Sequence, residues 1–321
     1  NPSWSHAHSA FAVALFLWYW HETRETRSTM QWFVLAAIAG LMLNVYYPNA
    51  MVLAVLLVEA LPQYLSALHG SRSPKLDSPG NEVANHKSLA RERKPSVMKL
   101  ATNHALFAVV MIACLFPTLG SRYVIYGNPF ESGYMSLSDW AWRSPYFLAV
   151  LFSSEHGLFV WTPVIALACI GVVIFALREP RVGGPLFSAL LAFYFFIACY
   201  PDWAGISSYG NRFFVSLTPI FIIGLSVFFA RAAQFFASQR VAMRTFATVA
   251  ALLVVWNMAF IFQWGTHLVP ARGPIVWSEM IHNQFAVVPR QIVAKAQGYL
   301  FHRSNLMQQI EQRDIEQLHG K

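Results

Sequence analysis

The chain is poor in charged residues, because Asp, Glu, Lys and Arg make up only 12% of its 321 residues. Soluble globular proteins carry about twice that fraction. Cysteine is also scarce: there are three, each inside an apolar run, and no CxxC or HExxH pattern occurs. We therefore expect no disulfide framework, no metal site and no cofactor. A soluble domain and a disulfide-rich secreted scaffold are both disfavoured.

Apolar residues are abundant: 56% of the chain is hydrophobic and 15% is aromatic. Several apolar runs approach the roughly 20 residues that cross a bilayer as a helix. These features predict an all-α fold, a polytopic transmembrane helical bundle of about eight spans with external loops and a C-terminal amphipathic tail. The expected spans are 7–20, 32–46, 50–66, 104–120, 158–177, 185–200, 213–230 and 245–264. The second and third form either a full hairpin or a re-entrant one, which would leave six spans.

The spans divide the chain into four regions. Residues 1–66 form a three-span group, and 67–103 form a basic cytoplasmic linker that can approach anionic membrane lipid. Residues 104–264 form a five-span group, and 265–321 form an external or interfacial tail in which Leu306, Ile310 and Leu318 fit an amphipathic helix. Because the sequence enters an apolar run almost at once after Asn1, we expect it to be the C-terminal portion of a larger protein.

The distribution of basic residues predicts the orientation. One set of loops (21–31, 67–103, 178–184 and 231–244) holds 14 Lys and Arg, whereas the opposite set (46–49, 121–157 and 201–212) holds 3. Loops rich in Lys and Arg stay in the cytoplasm, so 121–157 and 201–212 are expected outside. The net charge of +8 is explained in this way, and no nucleic-acid partner is predicted.

The first polar segment expected outside is 151–163. Ser153, Ser154, Glu155 and His156 precede a glycine, and Trp161 lies one turn into the following apolar run. No GxSxG elbow is present, which argues against a serine hydrolase. A hydroxyl-rich run before a helix start favours anion binding by free backbone N–H groups. The alternative is an ordinary helix cap followed by an interfacial tryptophan.

The second external segment is 201–212, with Asp202 and Trp203 at one end and Tyr209, Asn211 and Arg212 at the other. An unpaired arginine at the edge of the hydrocarbon is costly, so Arg212 needs a partner. Asp202 would tie the loop as an ion pair, whereas a phosphate would make Arg212 part of a binding site.

Two further stretches are expected on the same side. His6 and His8 are two residues apart and do not share a helical face, so they line a vestibule rather than form a metal site. In the loop 121–145, Glu131 and Asp139 are read as solvated carboxylates, and the aromatic residues Tyr126, Tyr134, Trp140 and Trp142 suit sugar stacking or a membrane interface.

The pattern LFSSEHGLFVWTP, followed by DWAGISSYGNRF, resembles bacterial GT-C glycosyltransferases related to protein O-mannosyltransferases and aminoarabinose transferases. The resemblance implies a multi-pass protein of the bacterial inner membrane with its site facing the periplasm. It also implies a polyprenyl-phosphate sugar donor and a lipid, glycan or protein acceptor. His156 and Arg212 would stabilise the leaving phosphate. The family's catalytic carboxylate lies in the first external loop, which this sequence lacks, so no catalytic residue is assigned and the fragment is expected to be inactive alone.

The resulting prediction is a membrane glycosyltransferase with twelve substrate-binding candidates, which are Ser153, Ser154, Glu155, His156, Trp161, Asp202, Trp203, Tyr209, Asn211, Arg212, His6 and His8. A transporter or flippase for lipid-linked sugars is one alternative, although the span interiors hold almost no ionisable residue apart from Glu59. A non-catalytic membrane scaffold subunit is the other.

Overall fold

A computed structural model describes residues 3–70, 96–131, 135–143, 145–205, 208–270 and 273–301, together with 303–304, 307–308 and 311–312. The elements of regular secondary structure in the described chain are all helical, which confirms the all-α prediction. Most of the predicted linker lies outside the described residues, as do Leu306, Ile310, Leu318 and Tyr134.

The α-helices of the described chain differ widely in length. In chain order they are α1 (Ser3–Thr23), α2 (Thr29–Val45), α3 (Ala54–Gly70), α4 (Val97–Ala113), α5 (Phe116–Tyr126), α6 (Phe147–Phe152), α7 (Leu158–Trp161), α8 (Val164–Arg178), α9 (Pro180–Cys199), α10 (Thr218–Ala232), α11 (Gln239–Gly265), α12 (Trp277–His282) and α13 (Val288–Phe301). Segments of 3-10 helix occupy Tyr47–Leu53, Leu137–Asp139, Arg212–Leu217 and Ala233–Phe235, and a π-helical turn spans Asn283–Val287.

Five described segments are long and apolar enough to cross a membrane, which supports the assignment as a membrane protein. They are Tyr47–Leu68, Val97–Tyr126, Pro180–Cys199, Arg212–Phe235 and Gln239–Gly265. The helices Thr29–Val45 and Val164–Arg178 are apolar but shorter, and α1 coincides with the first predicted span without being one of the five. The count of eight spans stays a prediction.

The segment 158–177 is not the single helix that the sequence predicted. It is divided into α7, of four residues, and α8, because Thr162 leaves the helical region with φ −138° and ψ 73°. Thr162 precedes Pro163, and the proline ring disfavours the α conformation of the residue before it. The break therefore places Trp161 at the end of a short turn.

The chain divides into two compact units. Unit 1 comprises residues 1–147, 165–203 and 212–236, and unit 2 comprises residues 148–164, 204–211 and 237–321.

In unit 1, α1 packs against α2 and the Arg212–Leu217 segment, α2 packs against α4, and α3 packs against α9. The buried core includes Phe16, Trp20, Leu35 and Phe193. Helices α8 and α10 cross where Gly171 faces Gly224, and a Cβ atom on Gly171 would overlap the carbonyl group of Gly224. Such contact between backbones requires residues without a side chain.

In unit 2, Trp161 packs into a core with Phe260, Val269, Ile275 and Met280. Gln263 is fully buried near the end of α11, and its amide donates to the Met280 carbonyl at 3.2 Å and to the Gln284 side chain. These bonds attach α12 and the π-helical turn to α11, because a buried amide is stable only when it is hydrogen-bonded.

Candidate functional site

The twelve candidate residues fall into both units. Unit 2 contains seven of them, which are Ser153, Ser154, Glu155, His156, Trp161, Tyr209 and Asn211. Unit 1 contains the other five, which are His6, His8, Asp202, Trp203 and Arg212.

The Ser-Ser-Glu-His-Gly segment forms a tight turn in unit 2. The Ser153 hydroxyl accepts a hydrogen bond from the Glu155 amide at 3.0 Å, and the Ser153 carbonyl accepts one from the Gly157 amide at 3.0 Å. A Cβ atom on Gly157 would collide with the backbone of Ser153, so this approach requires glycine. The amides of Glu155 and Gly157 are thus used within the turn, and the helix that follows, α7, has only four residues.

His156 is the strained residue of this turn. Its φ of 59° lies in the left-handed region, which costs free energy for a residue with a side chain, and it is 1% exposed. The imidazole stacks on the Trp161 indole with 4.6 Å between ring centroids and 12° between planes. Its Nδ1 atom lies 3.2 Å from the carbonyl oxygen of Gly210. This burial favours a packing role for His156 over direct phosphate contact.

Tyr209 and Glu155 complete this arrangement. The Tyr209 hydroxyl donates to the Trp161 carbonyl at 3.3 Å, and burial raises the pKa of the Tyr209 phenol. The Trp161 indole N–H donates to the Ser154 carbonyl at 3.0 Å, and the Glu155 carboxylate accepts the Gly273 amide at 3.1 Å. Both sequence motifs thus contribute to one packed cluster in unit 2.

Arg212 begins the 3-10 segment in unit 1. Its Nε atom is buried and has no hydrogen-bond partner among the described residues. The ion pairs found in the described chain are Arg24–Glu25 and Arg27–Glu59, so Asp202 does not pair with Arg212. Asp202 is instead exposed, and Trp203 is buried with its ring 6.3 Å from that of Tyr146.

His6 is close enough to Arg212 to experience its charge. Burial, and secondly the Arg212 guanidinium, lower the pKa of His6 below its ordinary value of 6.5, so the imidazole is neutral at pH 7. The buried Nδ1 atom of His6 has no hydrogen-bond partner in the described part of the chain, and its ring meets the edge of Tyr46 at 5.7 Å. His8 is exposed.

Sequence reasoning missed three fully buried polar residues in the same elements: Ser9, Asn49 and Ser216. The hydroxyls of Ser9 and Ser216 are 2.7 Å apart, and the Asn49 amide donates to Ser9 at 2.8 Å and to the Met42 carbonyl at 3.1 Å. One signal was available for Ser9, which follows His6 by three residues and therefore lies on the same face of α1. We call His6 and Arg212, which lie close enough for the Arg212 charge to affect His6, the Arg212 cluster.

A cavity of about 320 Å³ lies under the 121–145 loop, also in unit 1. Trp140 is buried there and stacks on Trp142 with 5.4 Å between ring centroids. The loop is fixed because the amides of Ala141 and Tyr146 donate to the last carbonyls of α9, at 2.8 and 2.7 Å. This loop cavity is lined by Tyr47, Arg122, Phe130, Glu131, Met135, Ser136, Leu137 and Trp140.

Glu131 lines this cavity and is exposed, which is compatible with the solvated loop carboxylate that we expected. Among the described residues, no group of three His, Cys, Asp or Glu side chains converges to hold a metal ion.

The chain has no significant match to a known protein family, to a curated protein or to a solved structure. The glycosyltransferase resemblance therefore stays a hypothesis that rests on the two motifs.

Proposed function

We propose that this chain binds the phosphate of a polyprenyl-phosphate sugar at the Arg212 cluster and is part of an inner-membrane glycosyltransferase. One observation carries the proposal: among the described residues, the Arg212 guanidinium has no carboxylate partner, and its buried Nε atom makes no hydrogen bond. A partly buried cation without a counter-charge is unfavourable, and a phosphate would supply both the charge and the acceptors.

The neighbouring His6 strengthens this argument. Its neutral imidazole leaves Arg212 as the positive charge that attracts the ligand, and its unbonded Nδ1 atom can pair with a phosphate oxygen or its proton. Bound phosphate would also raise the pKa of His6, because a nearby anion favours the imidazolium form. The phosphate would then be bound by the Arg212 guanidinium, which is always charged, and by the His6 imidazole, which can take up a proton when the phosphate is present.

The loop cavity offers a surface for the sugar in the same unit. Tyr47 and Trp140 provide flat apolar faces, and Arg122 and Glu131 provide polar groups for hydroxyls. In the proposed topology of about eight spans, this loop and 201–212 both face the periplasm, which agrees with the distribution of basic residues.

The proposed reaction is an inverting transfer. A carboxylate base, to which no residue of this chain is assigned, takes the proton of the acceptor hydroxyl. The hydroxyl oxygen then attacks the anomeric carbon, and the bond to the lipid phosphate breaks with its electron pair on the phosphate. Arg212 would stabilise the charge that develops there.

The test measures binding of a polyprenyl-phosphate sugar to the chain in nanodiscs. Arg212→Ala should weaken binding about tenfold to a hundredfold, because a hydrogen bond to a charged group contributes roughly 1.5–3 kcal/mol. The affinity of Arg212→Lys should lie between those of the unmodified chain and Arg212→Ala, since lysine keeps the charge but lacks the planar guanidinium. Arg143→Ala, an exposed arginine of the external loop, is the matched control and should bind normally. Normal binding by a folded Arg212→Ala variant would refute the proposal.

A further inference from the structure

We infer that the opposite end of unit 1 holds a second anion site, which binds the phosphate of an anionic lipid headgroup. Helix α1 separates it from the Arg212 cluster, since His6 lies near the start of α1 and Arg24 follows its end. Eighteen residues of helix rise about 27 Å, close to the roughly 30 Å of a bilayer core. By the predicted orientation this end is cytoplasmic.

Two cavities open side by side at this end, of about 570 Å³ and 450 Å³. They share Arg24, Glu25, Glu59 and Gln63. The first is also lined by Arg181 at the start of α9, and the second by Arg27 and by Lys99 on α4. Residues of five helices, α1, α2, α3, α4 and α9, and of the loop after α1 therefore line the two cavities.

The charges lining the cavities do not balance. Glu25 is paired with Arg24 at 3.0 Å, and Glu59 is paired with Arg27 at 3.3 Å. Lys99 and Arg181 remain, one in each cavity, and neither has an ion-pair partner within the described chain. The site thus has two positive charges in excess, which suits a phosphate group.

The base of the site is already ordered. The Arg27 side chain is 3% exposed, and its guanidinium lies 4.4 Å from the Trp32 ring centroid. Its Nη1 atom forms the ion pair with Glu59 but makes no hydrogen bond among the described residues. Arg24 donates to the Arg181 carbonyl at 3.0 Å, which connects the end of α1 to the start of α9. A ligand would therefore meet cations that are held in place before it binds.

The apolar walls identify the ligand as a lipid. Val58, Leu61 and Pro62 line the first cavity beside Arg24 and Arg181. Leu57 and Leu61 are 74% and 61% exposed, so the same face of α3 continues as an apolar surface for an acyl chain. A free phosphate would gain nothing from these walls, whereas an anionic phospholipid would use both parts.

The test compares lipid retention by the purified chain, measured by native mass spectrometry after exchange into mixed micelles. Phosphatidylglycerol should be retained in preference to phosphatidylcholine. The double variant Lys99→Gln/Arg181→Gln should bind phosphatidylglycerol about 25-fold more weakly. Each basic residue near an anionic membrane surface contributes about a fivefold gain in affinity, and two such residues are removed. Arg178→Gln is the matched control, because Arg178 is exposed at the end of α8 but lines neither cavity. It should bind as the unmodified chain does.

Several results would overturn the inference. Equal retention of the two lipids would remove the anion preference, and an equal loss in Arg178→Gln would indicate only a general surface charge. Displacement of the lipid by millimolar inorganic phosphate would assign the site to a soluble phosphate instead. Both substituted side chains are exposed, so a thermal unfolding midpoint close to that of the unmodified chain is expected and separates loss of binding from loss of folding.

Discussion

The buried ion pair between Arg27 and Glu59 gives a quantitative test of the packing in unit 1. The Glu59 carboxylate accepts a hydrogen bond from the Trp20 indole and another, of 3.3 Å, from the Gln63 amide. The same carboxylate lies 3.3 Å from the Arg27 guanidinium. Glu59→Gln keeps the shape and one acceptor oxygen but removes the negative charge. Arg27 would then be a buried cation without a counter-charge.

The expected cost follows from the burial of the two partners. The side chains of Arg27 and Glu59 are 3% and 13% exposed, and breaking such a pair from one side costs about 3–5 kcal/mol. Arg27 would retain the Thr23 hydroxyl at 3.1 Å and the Trp20 carbonyl at 3.2 Å as acceptors. We therefore expect the lower end, about 3 kcal/mol. Burial already lowers the pKa of Arg27, and Glu59 opposes that shift.

The assay is the free energy of unfolding in mixed micelles, measured by titration with a denaturing detergent. A double variant, Arg27→Met/Glu59→Leu, removes both charges and should recover to within about 1 kcal/mol of the unmodified chain, because the desolvation cost disappears with the pair. Glu25→Gln is the control: Glu25 is 73% exposed, and an exposed pair contributes little. A loss below about 1 kcal/mol in Glu59→Gln, or no recovery in the double variant, would refute this reasoning.

Three other predictions concern packing, titration and topology. Gly171→Ala should lower the free energy of unfolding by about 3 kcal/mol or more, because its Cβ would meet the α10 backbone. Gly184→Ala, where a Cβ has open space within α9, should not destabilise and should add up to about 1 kcal/mol. Unfolding titrations of the two variants test this difference. The pKa of His6 in the folded chain is below 6.5, so on acidification the unfolded chain takes up the proton first. The free energy of unfolding should therefore fall as the pH drops below about 6.5, and His6→Gln should remove this pH dependence. In a cysteine-free background, Ser138→Cys should react with an impermeant thiol reagent on intact cells and Ala237→Cys should not; the reverse result would contradict the orientation.

Composition and hydropathy were sufficient to predict the helical membrane architecture. Composition and hydropathy are sums over many residues, so local errors cancel. Each predicted span accordingly overlaps a described helix. The break at Thr162 was missed because the apolar run continues through it, and only the local effect of Pro163 on the preceding residue indicates it. A hydropathy window averages over such a break.

The candidate site was predictable only in part, because side-chain partners depend on packing. The sequence identified Arg212 as needing a partner but left Asp202 and a ligand as alternatives, and only the structure shows that Asp202 is exposed. It named His156 for its chemistry, yet the ring is stacked on Trp161. Glu59 was noted as an isolated charge, and its partner Arg27 lies 32 residues earlier, beyond any local pattern.

The two arginines at opposite ends of unit 1 support the proposal that a ligand is the partner of Arg212. At Arg27 the chain supplies a carboxylate, a carbonyl, a hydroxyl and an aromatic face, so the charge is compensated by protein groups alone. At Arg212 the described chain supplies no carboxylate and leaves the Nε atom without an acceptor, although Asp202 is only ten residues away. Since burying an arginine without a counter-charge is costly, an unpaired arginine is expected where a function requires it. The contrast between the two sites therefore favours an anionic ligand at Arg212 over a purely structural role.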